Sequence, residues 1–115
     1  MKRGIPTKVR AQLHERAHGC CEICGVWGAN NAHHRRNQSQ GGGHTLSNLM
    51  LLCGSGTTGC HGWVTEHPHE SITQGWTVPS YVRDALADLS VQRFDRALAR
   101  RVPVLLDDAG GIEAA

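Results

Sequence analysis

Cysteine and histidine can hold metals or move protons, and this 115-residue chain carries five of the first and eight of the second. Cys21 and Cys24 are two residues apart, so two thiolates can reach one ion from a single turn. A second pair, Cys53 and Cys60, follows further along, separated by Gly54-Ser55-Gly56-Thr57-Thr58-Gly59. Those residues are small and turn-forming, so the loop can fold back and return Cys60 to the same ion. Four thiolates make a closed tetrahedral site, and Cys21, Cys24, Cys53 and Cys60 are expected to hold a structural zinc. Cys20 is left over. It reads as a spare thiol, although Cys20 to Cys24 is also an allowed ligand spacing.

The composition says why a staple is needed. Leu, Ile, Val and Phe supply only a fifth of the residues and aromatics 4%, against 14 glycines. A core that thin must be reinforced by something else. The first residues, MKRGIPTKVR, lack an apolar signal segment, and no run approaches the length of a membrane span. The expected location is therefore the reducing cytoplasm, where paired cysteines more often bind metal than form disulfides. The formal charge of +2 conceals an asymmetry: residues 1–36 carry seven basic and two acidic side chains, whereas the remainder carries five and eight. A basic front points to a polyanionic partner.

The elements that must position these side chains follow from periodicity. A helix is expected from Pro6 or Thr7 to Ala17, with Val9, Leu13 and Ala17 on one stripe and Gly19 as the stop. Asn30 to Arg35 is a short segment leading through a His33-His34 pair, and the glycine-rich stretch Asn37 to Thr45 reads as a mobile loop. Leu46 to Leu52 fits a strand or a short helix. His61 to about Gln74 suggests a helix broken near Pro68, and Gly75 to Pro79 a short strand. Tyr81 to about Arg100 predicts a third helix, with Val82, Leu86 and Leu89 on one face. Val102 to Leu106 predicts a strand, and the Ala- and Gly-rich end a frayed tail. No internal repeat is visible. The organisation expected is a basic N-terminal helix (1–19), a metal-bearing core (20–80), and a C-terminal helix, strand and tail (81–115).

In order, the chain reads CxxC, Ala32-His33-His34-Arg35-Arg36, a glycine-rich loop, Ser47-Asn48, Cys53, then Cys60-His61. This ordered set resembles the HNH endonucleases of the ββα-metal class, closely over residues 20 to about 68. The flanks, with GWTVPSY and PVLLDD, look like small HNH proteins of bacteriophages infecting actinobacterial hosts. The resemblance implies a single α+β domain: a ββα-metal core stapled by the four-cysteine zinc, with flanking helices. It implies hydrolysis of DNA phosphodiester bonds. The reaction needs a water nucleophile, a base to take its proton and an electrophile for the charge developing at phosphorus and the leaving oxygen.

By the same resemblance, His33 and His61 bind a catalytic divalent ion (Mg²⁺, Mn²⁺, Ni²⁺ or Zn²⁺), His34 is the general base, and Asn48 ties down the loop and fixes how the base points. Adjacent residues of a strand face opposite sides, which suits one histidine for metal and the next for water. In the commonest family pattern a second histidine follows His61 by four positions, but here that residue is Thr65. The Thr65 hydroxyl, Glu66 and His67 are the candidates for the place, with His67 preferred because Pro68 disfavours helix just before it; water could also fill it. Arg35 matches a family position that would grip a phosphate. Lys2, Arg3, Lys8 and Arg10 would add sequence-independent phosphate contacts, and His14, His18, His44 and His69 fall outside the motif. The partners implied are DNA and, in a phage setting, packaging proteins, with no membrane. The other reading is a catalytically silent zinc module that binds nucleic acid, or an accessory of a packaging complex.

Overall fold

The structure is a computed structural model and describes residues 4–115. Lys2 and Arg3, expected to meet phosphates, lie outside the described residues. The elements run α1 (Thr7–Ala17), β1 (Asn31–His34), β2 (Leu49–Leu52), α2 (Gly59–Glu66), α3 (Pro68–Gln74), β3 (Val91–Asp95), β4 (Arg100–Leu106) and β5 (Ile112–Ala114), with short 3-10 turns at Gln38–Gln40 and Leu86–Asp88. The α+β expectation holds, and β1, β2 and α2 follow one another in ββα order. No helix among the described residues is long and apolar enough to cross a membrane.

The ambiguous run before Cys53 is a strand. Leu49, Met50, Leu51 and Leu52 are all fully buried, which explains the missing alternation: both faces of β2 are covered. β1 pairs with it antiparallel, placing His33 opposite Met50 and His34 opposite Leu49. Leu13 and Ala17 of α1, Val64 of α2, Trp76, Val91 of β3 and Leu106 of β4 close the core around this strand.

Among the described residues β2 has a strand on one side only, so its other edge must find partners elsewhere. Arg16 of α1 donates to the carbonyls of Leu46 and Leu49, each at 2.6 Å. The Glu22 backbone N–H donates to the Leu51 carbonyl, and the Leu51 N–H donates back to the Glu22 carboxylate at 2.9 Å. That carboxylate also accepts from Arg16 at 2.8 Å and from Arg93 of β3 at 2.6 Å. Burial alone would raise the Glu22 pKa, but the two guanidinium groups outweigh it and hold the carboxyl below its usual range.

The helix break at Pro68 is confirmed, since α2 ends at Glu66 and Pro68 opens α3, where its missing N–H costs nothing. Three expectations fail. Tyr81–Arg100 is no helix: it contains a 3-10 turn, then β3, whose Val91 and Phe94 pair with Val104 and Arg101 of β4. The carbonyls a helix would have used internally are taken by arginines: Arg36 holds those of Val82 and Asp84, and Arg35 those of Leu86, Leu89 and Ser90. Gly75–Pro79 is irregular, its Trp76 and Thr77 N–H groups donating to the Ser71 carbonyl and that of Val78 to the Arg35 carbonyl. The tail is not frayed. Asp107 accepts from the N–H groups of Ala109 and Gly111, and the turn returns the chain as β5 against β4.

Glu22→Gln leaves two guanidinium groups around a neutral amide, and the zinc-loaded protein is expected to lose about 3 to 5 kcal/mol. Urea unfolding checks this; a loss below about 1 kcal/mol, the level of an exposed ion pair, would show that the network adds little.

Candidate metal centre and active site

The first turn after α1 carries Cys21 and Cys24, Cys53 directly follows β2, and the first turn of α2 carries Cys60. Their four sulfurs lie within 4.8 Å of one another, with Cys24 and Cys53 3.7 Å apart. Sulfurs at the corners of a zinc tetrahedron would be about 3.8 Å apart, so the residues fit a structural metal such as zinc. Burial and then the neighbouring Cys21 thiol raise the Cys60 pKa, the strain expected of crowded thiols that a cation would relieve. The second knuckle folds back as its composition suggests. Gly54 and Gly59 both take left-handed φ, and a Cβ on Gly54 would run into the Thr58 carbonyl; Asn31 of β1 donates to the Gly54 carbonyl. Cys20 stays outside the cluster, its sulfur 3.6 Å from the Arg96 guanidinium.

β1 and α2 bring the histidines together. His33 and His61 pack edge to face with ring centroids 5.5 Å apart, and with His34, Thr65, Thr77 and Val78 they line a cavity of about 400 Å³. His33 Nε2 lies 2.7 Å from the Trp76 carbonyl. A carbonyl can only accept, so Nε2 carries the proton and the Nδ1 lone pair is free for a cation. Burial is the main reason that His33 is pushed down to about 4, with His61, His34 and Arg35 adding repulsion against the Trp76 carbonyl's opposing pull. His61 is lowered by burial as well. Its Nδ1 is buried with no hydrogen-bond partner among the described residues, an arrangement that ordinarily costs free energy and that a metal would satisfy.

His34, on the alternate face of β1, has Nε2 3.0 Å from His44 Nδ1, and the Gln38 amide approaches the same nitrogen at 3.2 Å. Burial, then His44, lowers the His34 pKa. Asn48 is 1% exposed. Its Oδ1 accepts from the Arg36 N–H at 2.7 Å, and its Nδ2 donates to the carbonyls of Arg36 and Gly43 at 3.1 and 3.0 Å. The stretch expected to be a mobile loop is therefore tied at both ends to one side chain.

Two expected site residues are placed elsewhere. Arg35 is no phosphate ligand: 1% exposed, it donates from Nε to Gly75, from Nη1 to Ser47 and Leu86, and from Nη2 to Leu89 and Ser90. Burial pushes its pKa to about 10, so it remains a cation at neutral pH and fastens β1 to the C-terminal region through carbonyls alone. His67 is turned from the cavity, stacked on Trp63 at 4.2 Å with Nδ1 2.8 Å from the Trp63 carbonyl. The helix does end there, as Pro68 requires, but the freed side chain follows the Trp63 ring. Thr65 reaches the cavity instead, its hydroxyl donating to the His61 carbonyl. Sequence reasoning missed the Trp76 carbonyl, which no side-chain motif could announce, and His44, whose only sequence signal was its place beside the glycine run.

Cys24→Ser or Cys53→Ser is expected to abolish zinc retention and cooperative unfolding together, because in such sites metal binding is folding free energy. Metal content and thermal unfolding with and without chelator check this; a variant that folds cooperatively without zinc would refute the staple.

Residues 21–62 match the family model described as HNH endonuclease. The comparisons with curated proteins and with solved structures gave no match. The matched segment begins at Cys21 and ends just past His61, enclosing both knuckles, the histidine pair and Asn48, and the chain thus carries an HNH-family domain at residues 21–62.

Proposed function

We propose that the protein is a metal-dependent DNA endonuclease in which His34 is the general base and His33 and His61 hold a catalytic divalent cation. The observation that carries this is His61, whose Nδ1 is buried without a hydrogen-bond partner among the described residues and which lines one cavity with His33 and His34. A silent zinc module would have no use for that arrangement, since its metal sits on the cysteines.

The residues divide the work. The Trp76 carbonyl fixes His33 in the tautomer that presents Nδ1. Burial keeps His33 and His61 neutral near pH 7, the form that binds metal. A bound divalent cation would polarise the scissile phosphate and stabilise charge on the leaving 3′-oxygen. His34, on the opposite face of β1 and also neutral, takes a proton from the attacking water. Thr65 leaves the protein two histidine ligands, which suits an ion that keeps several waters, such as Mg²⁺ or Mn²⁺. With Arg35 occupied, phosphate contacts fall to exposed cations such as Lys8 of α1, and binding should weaken with salt.

The test is conversion of supercoiled plasmid to nicked and linear forms by the zinc-loaded protein with Mg²⁺, Mn²⁺, Ni²⁺ or none added. Cleavage is expected to need the added cation and to fall by about 10² to 10⁴-fold in His34→Ala, with His33→Ala needing a higher cation concentration to cut. Undiminished cleavage by His34→Ala would sink the base assignment. A folded protein that shifts DNA on a gel yet fails to cut it with every one of these cations would point to the silent module.

A further inference from the structure

We infer that His44 is a positioning residue for His34, and that Asn48 acts on the base through it; the inference rests on the nuclease reading above. Asn48 bonds to backbone, and its bonds bracket His44. Its Nδ2 donates to the Gly43 carbonyl, immediately before His44, and its N–H donates to the Thr45 carbonyl, immediately after, each at 3.0 Å. Its remaining bonds hold the Arg36 peptide and the Arg35 N–H at the other end of the loop. The two ends of a glycine-rich segment are thus locked to one buried amide, and the ring that this fixes in space is His44.

His44 then meets the base. Its Nδ1 is 3.0 Å from His34 Nε2, with ring centroids 5.1 Å apart and planes inclined by 56°. At this separation one proton lies between the two nitrogens, so one ring donates and the other accepts, and the His34 ring cannot rotate about its Cβ–Cγ bond without breaking the contact. Gln38, from the 3-10 turn of the same loop, approaches the same nitrogen. A base is commonly oriented by a third group, and here that group is carried by the loop between the histidine pair and Asn48.

Two measurements decide it. In protein labelled with ¹⁵N-histidine, at a pH where both rings are neutral, a through-bond correlation across the N–H···N contact should link His34 to His44. It should vanish in His44→Ala and weaken in Asn48→Asp, which loses the donors to Gly43 and Arg36. This readout needs no catalysis. In plasmid cleavage, His44→Ala should lower kcat at least tenfold with KM little changed, and His44→Asn should recover most of it, because an asparagine amide atom falls where Nδ1 lay. The His44→Ala, Asn48→Asp double variant should lose no more than the worse single variant. Absence of the correlation in a folded protein, a change confined to KM, equal loss in His44→Ala and His44→Asn, or additive losses would each overturn the inference. If the wild type cuts nothing, the nuclease reading fails by itself, and the NMR correlation still decides whether Asn48 and His44 hold the ring.

Discussion

A buried strand with only one strand partner among the described residues sets the terms for this molecule. β2 lies at the centre of the core with all four residues covered, so the polar groups along its open edge are out of reach of water. Leaving them unpaired would cost more than a small apolar core can return. Glu22 and Arg16 answer this with charged side chains in place of a third strand, and Arg93 completes the group. One carboxylate thereby joins α1, the first knuckle, β2 and β3, four pieces of chain with little else in common.

The same strand sets the functional geometry. Its pairing with β1 holds the two adjacent histidines at the cavity, His33 packed against His61 and His34 reaching the loop at His44. Its last residue leads directly into Cys53, so the sulfur cluster is anchored to the best-buried part of the fold, and the His61 N–H donates to the Cys53 carbonyl at 3.1 Å. α2 has only eight residues and could not hold a helix alone. It is held by Cys60 at one end and Val64 against the core. A metal on the cysteines would fix where His61 stands, although it touches no reacting atom.

What the sequence made legible was the local part. Ligand spacing identified the right four cysteines over Cys20, proline chemistry located the break between α2 and α3, and β-branched residues marked β4. The failures came where side chains reach across the fold. Val82, Leu86 and Leu89 have helical spacing, but helical hydrogen bonds must outcompete other donors for the same carbonyls, and Arg35 and Arg36 supply charged donors from over forty residues away. Arg35 was misread for a related reason. A guanidinium fits a phosphate or a ring of carbonyls equally well, and only the fold reveals which surrounds it.

The two adjacent arginines also explain how a motif so short can be stiff. His34 is followed directly by Arg35, whose side chain is clamped by five carbonyls, and by Arg36, whose peptide is held on both sides by Asn48. The backbone after His34 therefore cannot pivot, while the ring of this proposed base is met from the other side by His44. A strand of four residues would otherwise fray at its end, where His34 sits. Rigid placement of a proton acceptor matters, since misplacement by about 1 Å can cost two orders of magnitude in rate. The buried arginine that seemed made for phosphate thus stiffens the backbone that carries the proposed base.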